Sequence, residues 1–417
     1  GAAALFVPEI ELENALTVLA NHGKNRRSRE SEHPMARRHP ASPHLPVPAW
    51  APTKVSGSAM SSLDRWFVKL AQANPQLRVR IGNPDELASN KMGATLALLK
   101  HRVNVPEPGV PESTDGSVVT ALNEEAVAAA ALANKGGLNL IVSYEAFAVK
   151  MLGLMRQEII FARRQKELGQ PPGWISVPLI VTSHTWENSK NEQSHQDPTI
   201  GEALLGEMSD TARVLFPVDE NTACAALRAV YASRGQVACV VVSKRDTPNH
   251  FSAAAAQSLI EHGAAHVAGD PSTAQLQFVA IGAYQLEEAL KAHARLEHHG
   301  LASCITVVVE PGRLRIPRDE LEAAFVLGDE SLQALFPPHL PRVLISHTRP
   351  EPMLGVLRRI DSGRSKTRAL VYIIHGGTLD VAGMLIANRC TWVDAIYAAA
   401  QVTGWNSSQA AAAATDA

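Results

Sequence analysis

Short, uniformly apolar runs recur along this chain: VVTAL (118–122), LNLIV (138–142), VPLIV (177–181), ARVLF (212–216) and VACVVV (237–242), with helix-compatible stretches between most of them. Runs of this kind leave no side for solvent, so they read as strands covered on both faces, the situation of a parallel sheet. Strands that alternate with helices predict a mainly parallel, doubly wound α/β sheet. A second alternating set follows: FVAIGAY (278–284), a helix over 286–299, SCITVVV (303–309), RVLIS (342–346), ALVYII (369–374) and a helix over 392–402. The expected fold class is therefore α/β, with two doubly wound, mainly parallel-sheet domains.

Residues 1–61 are expected to be a linker or extended segment, because their Arg-, Pro- and Ser-rich sequence shows no apolar period from about residue 21 onward. Order is expected to begin at SLDRWFVKLAQA (62–73), where Leu63, Trp66, Phe67 and Leu70 recur at helical spacing. The first domain is placed at 62–263 and the second at 264–404, with the Gly-, Pro-, Ser- and Thr-rich stretch 264–277 as boundary. The Ala-rich end, 405–417, is expected to fray.

At 417 residues the chain exceeds the size at which one core keeps growing, which also favours two domains. A formal net charge of -2 with 46% hydrophobic residues gives nucleic acid or an anionic membrane no footing and fits a small-molecule enzyme. No apolar run approaches the ~18 residues of a membrane span. The four cysteines, Cys224, Cys239, Cys304 and Cys390, are widely spaced and read as reduced core thiols of a cytoplasmic protein. The chain opens with Gly-Ala-Ala-Ala in place of Met, which suggests a processed, trimmed or partial polypeptide.

Directly after the run VPLIV the sequence turns densely polar, TSHTWENSKNEQSHQDP (182–198). Ligands of open α/β sheets bind beyond the carboxyl ends of strands, so a site is expected there. His184 and His195 flank Asn188, Lys190, Asn191 and Gln193, a set that suits a polyhydroxylated substrate: amides serve hydroxyls in both directions and imidazole shuttles protons near neutrality. A metal site is not expected, because neither histidine has a second ligand one helical turn away. Tyr144 and Phe147, at another strand end, are either core or a stacking wall for a planar heterocycle. Glu124 and Glu125 open an Ala-rich helix, where they complement its dipole or present a half-buried carboxylate. Lys244 follows VVVS as a solvated cap or a phosphate ligand.

Taken in order, GNPDELASNKM (82–92), LNEE (122–125), VSYEAF (142–147), TSHTW (182–186), NEQSHQDP (191–198), PVDENT (217–222) and VVVSK (240–244) resemble the phosphoketolase family of thiamine-diphosphate enzymes, over about residues 62–403. The resemblance implies a middle, pyrimidine-binding domain and a transketolase-like C-terminal domain. It also implies thiamine diphosphate and Mg2+ as cofactors, both completed by a domain absent from this chain, since the family's Gly-Asp-Gly motif occurs nowhere in the sequence. The implied activity is a lyase cleaving xylulose 5-phosphate or fructose 6-phosphate to acetyl phosphate and an aldose phosphate, in a homo- or hetero-oligomer with a diphosphate-binding domain or subunit.

By family position Glu124 meets the aminopyrimidine ring, Tyr144 and Phe147 line it, and His195 and Asn191 contact the sugar. Lys244 lies near the sugar phosphate, and Ser89 and Lys91 near the substrate entrance. Lys190 stands where the family has a histidine. That departure brings in transketolase-like transfer or C3 epimerisation as an alternative reaction, and a non-catalytic partner subunit as an alternative role.

Overall fold

The computed structural model describes residues 6–24, 40–187, 193–374 and 376–415. It divides into two units, Gly1–His39 and Pro40–Ala417. In the first unit Glu9–Lys24 is a helix, where the sequence reading expected linker. Its first turn carries Glu9 and Glu11, which complement the helix dipole, and the following residues are mostly good helix formers.

The second unit opens with a Pro-rich strap. Residues 40–55 form neither helix nor strand, yet they are fixed: Asn74 accepts from the His44 N–H at 2.7 Å and donates to its carbonyl at 2.8 Å, and the Trp66 indole donates to the Pro46 carbonyl at 2.9 Å. Asn221 holds Ala51 in the same two-way manner, at 2.8 and 2.9 Å. Strand β1 (Ser56–Ser58) then leads into the helix Ala59–Ala73, whose N-terminus is capped by Ser58 and whose Leu63, Trp66, Phe67 and Leu70 are buried.

Eight parallel strands follow: β2 (Val79–Gly82), β3 (His101–Arg102), β4 (Glu112–Ser113), β5 (Val118–Val119), β6 (Leu138–Tyr144), β7 (Val177–Thr182), β8 (Ala212–Leu215) and β9 (Val237–Val241). They form one sheet in the order β4-β3-β5-β2-β6-β7-β9-β8, which reverses direction in the chain as a doubly wound sheet does. Strand β10 (Asp246–Pro248) returns to pair antiparallel with β1. The second sheet contains β11 (Ala264–Ala268), β12 (Leu276–Ile281), β13 (Ser303–Val308), β14 (Arg342–Ser346) and β15 (Thr367–Leu370), in the order β11-β13-β12-β14-β15. All its pairings are parallel except β11 on β13. The central strands β6, β7, β12, β13 and β14 are buried almost throughout, as their unbroken apolar runs require.

Two expectations are corrected. The stretch that was read as a boundary, 264–277, contains the edge strand β11, mostly half-buried and so lacking the apolar signature of a central strand. The C-terminal residues are not frayed: Ser407–Thr415 is a helix, with Ala410 and Ala413 buried in the same core as Leu296 and Ile396. The poly-Ala stretch lets that helix lie close to its neighbours.

The carboxyl ends of the two sheets face common ground. Arg213 and Glu310 form a buried bidentate pair at 2.6 and 2.7 Å, and the Phe216 N–H donates to the Val309 carbonyl at 2.7 Å. Arg349 bonds Glu202 at 2.6 Å and Asp197 at 3.0 Å.

One glycine sets how closely the helix Glu124–Leu132 approaches β2. A Cβ on Gly82, the last residue of β2, would come within 2.3 Å of the Val127 carbonyl oxygen, in the helix Glu124–Leu132. Gly82→Ala is therefore expected to cost about 1–3 kcal/mol through overpacking against backbone that cannot rotate away, measured as a lower midpoint in urea unfolding.

Candidate active site

Glu124 is the first residue of the helix Glu124–Leu132, which is capped by the Asn123 side chain accepting from the Ala126 N–H at 2.9 Å. The Ala-rich face of that helix lies against β2, with Val127, Ala128 and Ala131 buried, and this brings Glu124 down to the strand ends at only 9% exposure. Its Oε1 accepts from Lys150 Nζ at 2.9 Å. Asp85, in the turn after β2, faces the same groups. Burial and then the Glu124 carboxylate push its pKa up, against the opposing charges of His195 and Lys150.

Around this carboxylate the structure gathers most of the side chains singled out in the sequence. Tyr144 ends β6 and Phe147 lies in the short helix that follows, their ring centroids 6.1 Å apart. His195 packs edge-on against Phe147 at 4.6 Å and lies 6.1 Å from Tyr144, and its Nδ1 is 2.8 Å from Ser194 Oγ. The Tyr144 hydroxyl is 3.4 Å from Ser89 Oγ. Lys244 Nζ donates to the Ser89 carbonyl at 3.2 Å and sits 5.2 Å from the centre of the Tyr144 ring. Burial lowers the Lys244 pKa, against the pull of Glu187. Lys150 Nζ lies 5.0 Å from the Phe147 centroid, so a second cation stands at this mouth. Lys190 and Asn191 lie outside the described residues.

A second, fully buried layer lies behind the first. Glu145 is 1% exposed in its side chain; its Oε1 meets His347 Nε2 at 2.8 Å and its Oε2 accepts from the Thr185 N–H at 2.8 Å. Burial alone would raise the Glu145 pKa, but the His347 and His184 rings and the Thr185 N–H hold it below the usual carboxylate range. Glu187 accepts from the Tyr284 hydroxyl at 2.6 Å, from the Lys244 N–H at 3.0 Å and from Ser243 Oγ. His184 lies between the two carboxylates, its ring 5.0 Å from that of His347, and burial lowers its pKa.

Sequence reasoning placed Glu124, Tyr144, Phe147, His195 and Lys244 at or beyond strand ends and, by resemblance, Ser89 near the substrate entrance, and these converge. It passed over Lys150, Asp85, Glu145, Glu187 and His347. Lys150 sits in helical sequence with no pattern to mark it, and Asp85 lies inside the quoted GNPDELASNKM stretch, where nothing local sets it apart. Glu145 is one residue beyond Tyr144, inside a quoted motif, yet its partner His347 is 202 residues away and local spacing cannot reveal it.

Residues 61–233 match the family described as D-xylulose 5-phosphate/D-fructose 6-phosphate phosphoketolase. That part of the chain is similar to the phosphoketolase family. A probable phosphoketolase of Lactococcus lactis subsp. lactis is 27% identical over 292 residues, 67% of this chain and 35% of that protein. One from Streptomyces avermitilis is 27% identical over 311 residues, 72% of this chain and 38% of that protein. The phosphoketolase-related chain thus spans little more than a third of the length of these relatives.

Among solved structures, transketolase from Leishmania mexicana superposes with a TM-score of 0.63 at 18% identity, covering 86% of this chain and 46% of that one. A chain described as "Split gene transketolase, inactive beta4 tetramer" gives 0.57 at 14% identity, covering 84% of this chain and 98% of that one. These likenesses establish the transketolase-like α/β fold expected from the sequence. Among the described residues no helix is long and apolar enough to cross a membrane.

Glu187 holds two hydroxyls and a backbone N–H, so removing the acceptor should cost more than removing one donor. Tyr284→Phe is expected to lower stability by about 1 kcal/mol, and Glu187→Leu by roughly 3 kcal/mol or more because buried donors are left unpaired. Urea unfolding of the two variants checks the order.

Proposed function

We propose that this chain provides the pyrimidine-binding half of a thiamine-diphosphate site, within a phosphoketolase-like lyase acting on xylulose 5-phosphate or fructose 6-phosphate. The observation that carries this reading is the convergence of Glu124, Tyr144, Phe147, His195 and Lys244 on one mouth at the carboxyl ends of β5, β6 and β9. A poorly exposed carboxylate beside two rings suits a flat, nitrogen-containing heterocycle: Glu124 would accept a hydrogen bond from the ring and Phe147 and Tyr144 would flank it. When bound, thiamine diphosphate supplies the nucleophilic carbon and electron sink that cleavage between C2 and C3 of a ketose needs.

The chain's own residues act around that group. Glu124 holds a proton at a ring nitrogen, in exchange for its present partner Lys150. His195 moves protons at substrate hydroxyls. Lys244 and Ser89 hold the sugar phosphate, with Lys190 and Asn191 assigned to the same loop. Nothing in the sequence supplies the Gly-Asp-Gly motif, so the diphosphate end and its Mg2+ are assigned to another domain or subunit. In this reading 62–263 is the pyrimidine-binding domain, 264–404 is the C-terminal domain, and the enzyme works in the cytoplasm as a homo- or hetero-oligomer. The near-complete overlap with the split-gene transketolase chain favours a companion subunit. It also keeps a non-catalytic partner role as the second reading.

Calorimetric titration of the isolated chain with thiamine diphosphate and Mg2+ should show no micromolar binding; micromolar affinity would overturn the split-site assignment. With a diphosphate-binding companion present, Glu124→Gln is expected to reduce turnover by about 100- to 1,000-fold while leaving the fold intact. Unchanged turnover would return Glu124 to the role of a helix-dipole carboxylate.

Lys244→Ala removes a charge-assisted contact worth roughly 1.5–3 kcal/mol, so KM for xylulose 5-phosphate should rise about 10- to 100-fold with little change in kcat. An unaltered KM would identify Lys244 as a solvated cap. Following acetyl phosphate and epimerised sugar separately in the same assay distinguishes cleavage from epimerisation.

A further inference from the structure

Behind the mouth, Glu145, His184 and His347 each place one possible metal-ligating atom within 4.8 Å of the other two. All three are buried, at 1%, 4% and 2% exposure. They come from three strand ends in two sheets: Glu145 follows β6, His184 follows β7 and His347 follows β14. The hydrogen bonding among them is incomplete. His184 Nδ1 is buried with no hydrogen-bond partner among the described residues. His184 Nε2 is 3.7 Å from Glu187 Oε1, too long for a hydrogen bond but within reach of a small ring movement.

A buried imidazole nitrogen with nothing to bond is costly unless it serves a ligand. We propose that Glu145, His184 and His347 bind a zinc-class divalent ion that clips the end of the second sheet to the end of the first. Two neutral imidazoles and one carboxylate are a set that suits Zn2+ and not Mg2+ or Ca2+, which take mainly oxygen ligands. Metal–ligand bonds of about 2.0–2.2 Å place neighbouring ligand atoms a little over 3 Å apart, between the 2.8 Å of the His347–Glu145 contact and the 4.8 Å limit of the cluster.

The outer groups also fit. The Thr185 N–H orients the free oxygen of Glu145, and Glu187 faces the second nitrogen of His184, the carboxylate–histidine–metal arrangement that fixes a ligating ring. Charge closes as well: two neutral histidines, the Glu145 carboxylate and Glu187 beside them balance a divalent ion. This site is separate from the pyrimidine contact proposed for Glu124 and does not depend on it.

The test uses the full chain without an affinity tag, stripped with a chelator and then titrated with Zn2+ against a competing chromophoric chelator. Expected are about one tightly held zinc per chain, a rise of several degrees in Tm on adding zinc, and the visible absorption of tetrahedral Co2+ when cobalt is used instead. His184→Gln and His347→Gln should each weaken zinc binding by at least about 100-fold, whereas His293→Gln, at a half-buried histidine elsewhere, should not. Zinc binding that survives both ligand substitutions would overturn the proposal, as would a wild-type chain that holds no zinc and whose Tm ignores it. The wild-type titration decides the matter even if a ligand variant fails to fold.

Discussion

Two buried carboxylates, Glu145 and Glu187, organise the junction of the two sheets. Each sits at the end of a first-sheet strand or in the loop beyond it, and each receives a group from the second half of the chain: His347 for Glu145, Tyr284 for Glu187. Removing a carboxylate from water costs several kcal/mol unless its lone pairs are taken, so these residues tolerate only the arrangement in which their partners arrive. The surface residues inherit that order. Lys244 is anchored through its N–H to Glu187, and Tyr144 and Phe147 bracket Glu145 in sequence, so the polar mouth rests on a buried framework.

Much of this could be read from the chain before its structure. Strands buried on both faces must be apolar along their whole length, and for that reason β6, β7, β9, β12, β13 and β14 stood out. Short or edge strands such as β3, β4 and β11 bury too little to leave a mark. The first layer of the candidate site was legible because it lies directly after the apolar runs. The second layer was not, since a buried Glu or His resembles a surface one in sequence, and what separates them is a partner contributed by a distant strand. The C-terminal helix was misjudged for a related reason: poly-Ala has no amphipathic stripe, and its burial depends on how closely small side chains let a helix approach.

The family match and the fold agree on the central part of the chain and carry different weight. The family likeness covers residues 61–233, whereas the solved transketolase structures, at 18% identity and below, define shape alone. The pairing of Glu124 with Lys150 belongs to neither comparison and comes from this structure. A ligand at Glu124 has to compete with a lysine the chain itself provides, so capture there should weaken or strengthen with ionic strength according to how strongly salt loosens that pair.

The Pro-rich strap bears on how the molecule comes to be built. Ala51 is bonded to Asn221, Lys54 to Asn249 and Ser56 is paired with Pro248, separations of 170 residues and more. During synthesis, Ala51 emerges 170 residues before Asn221, its partner in the fold. Loop closure over such spans is slow, and an idle segment able to pair as a strand would be a hazard in the interval. Proline, which offers no N–H and resists regular pairing, recurs at 40, 43, 46, 48 and 52 and makes residues 40–52 a poor partner for a stray strand. The strap is in that sense a late fastener, and its composition is suited to waiting.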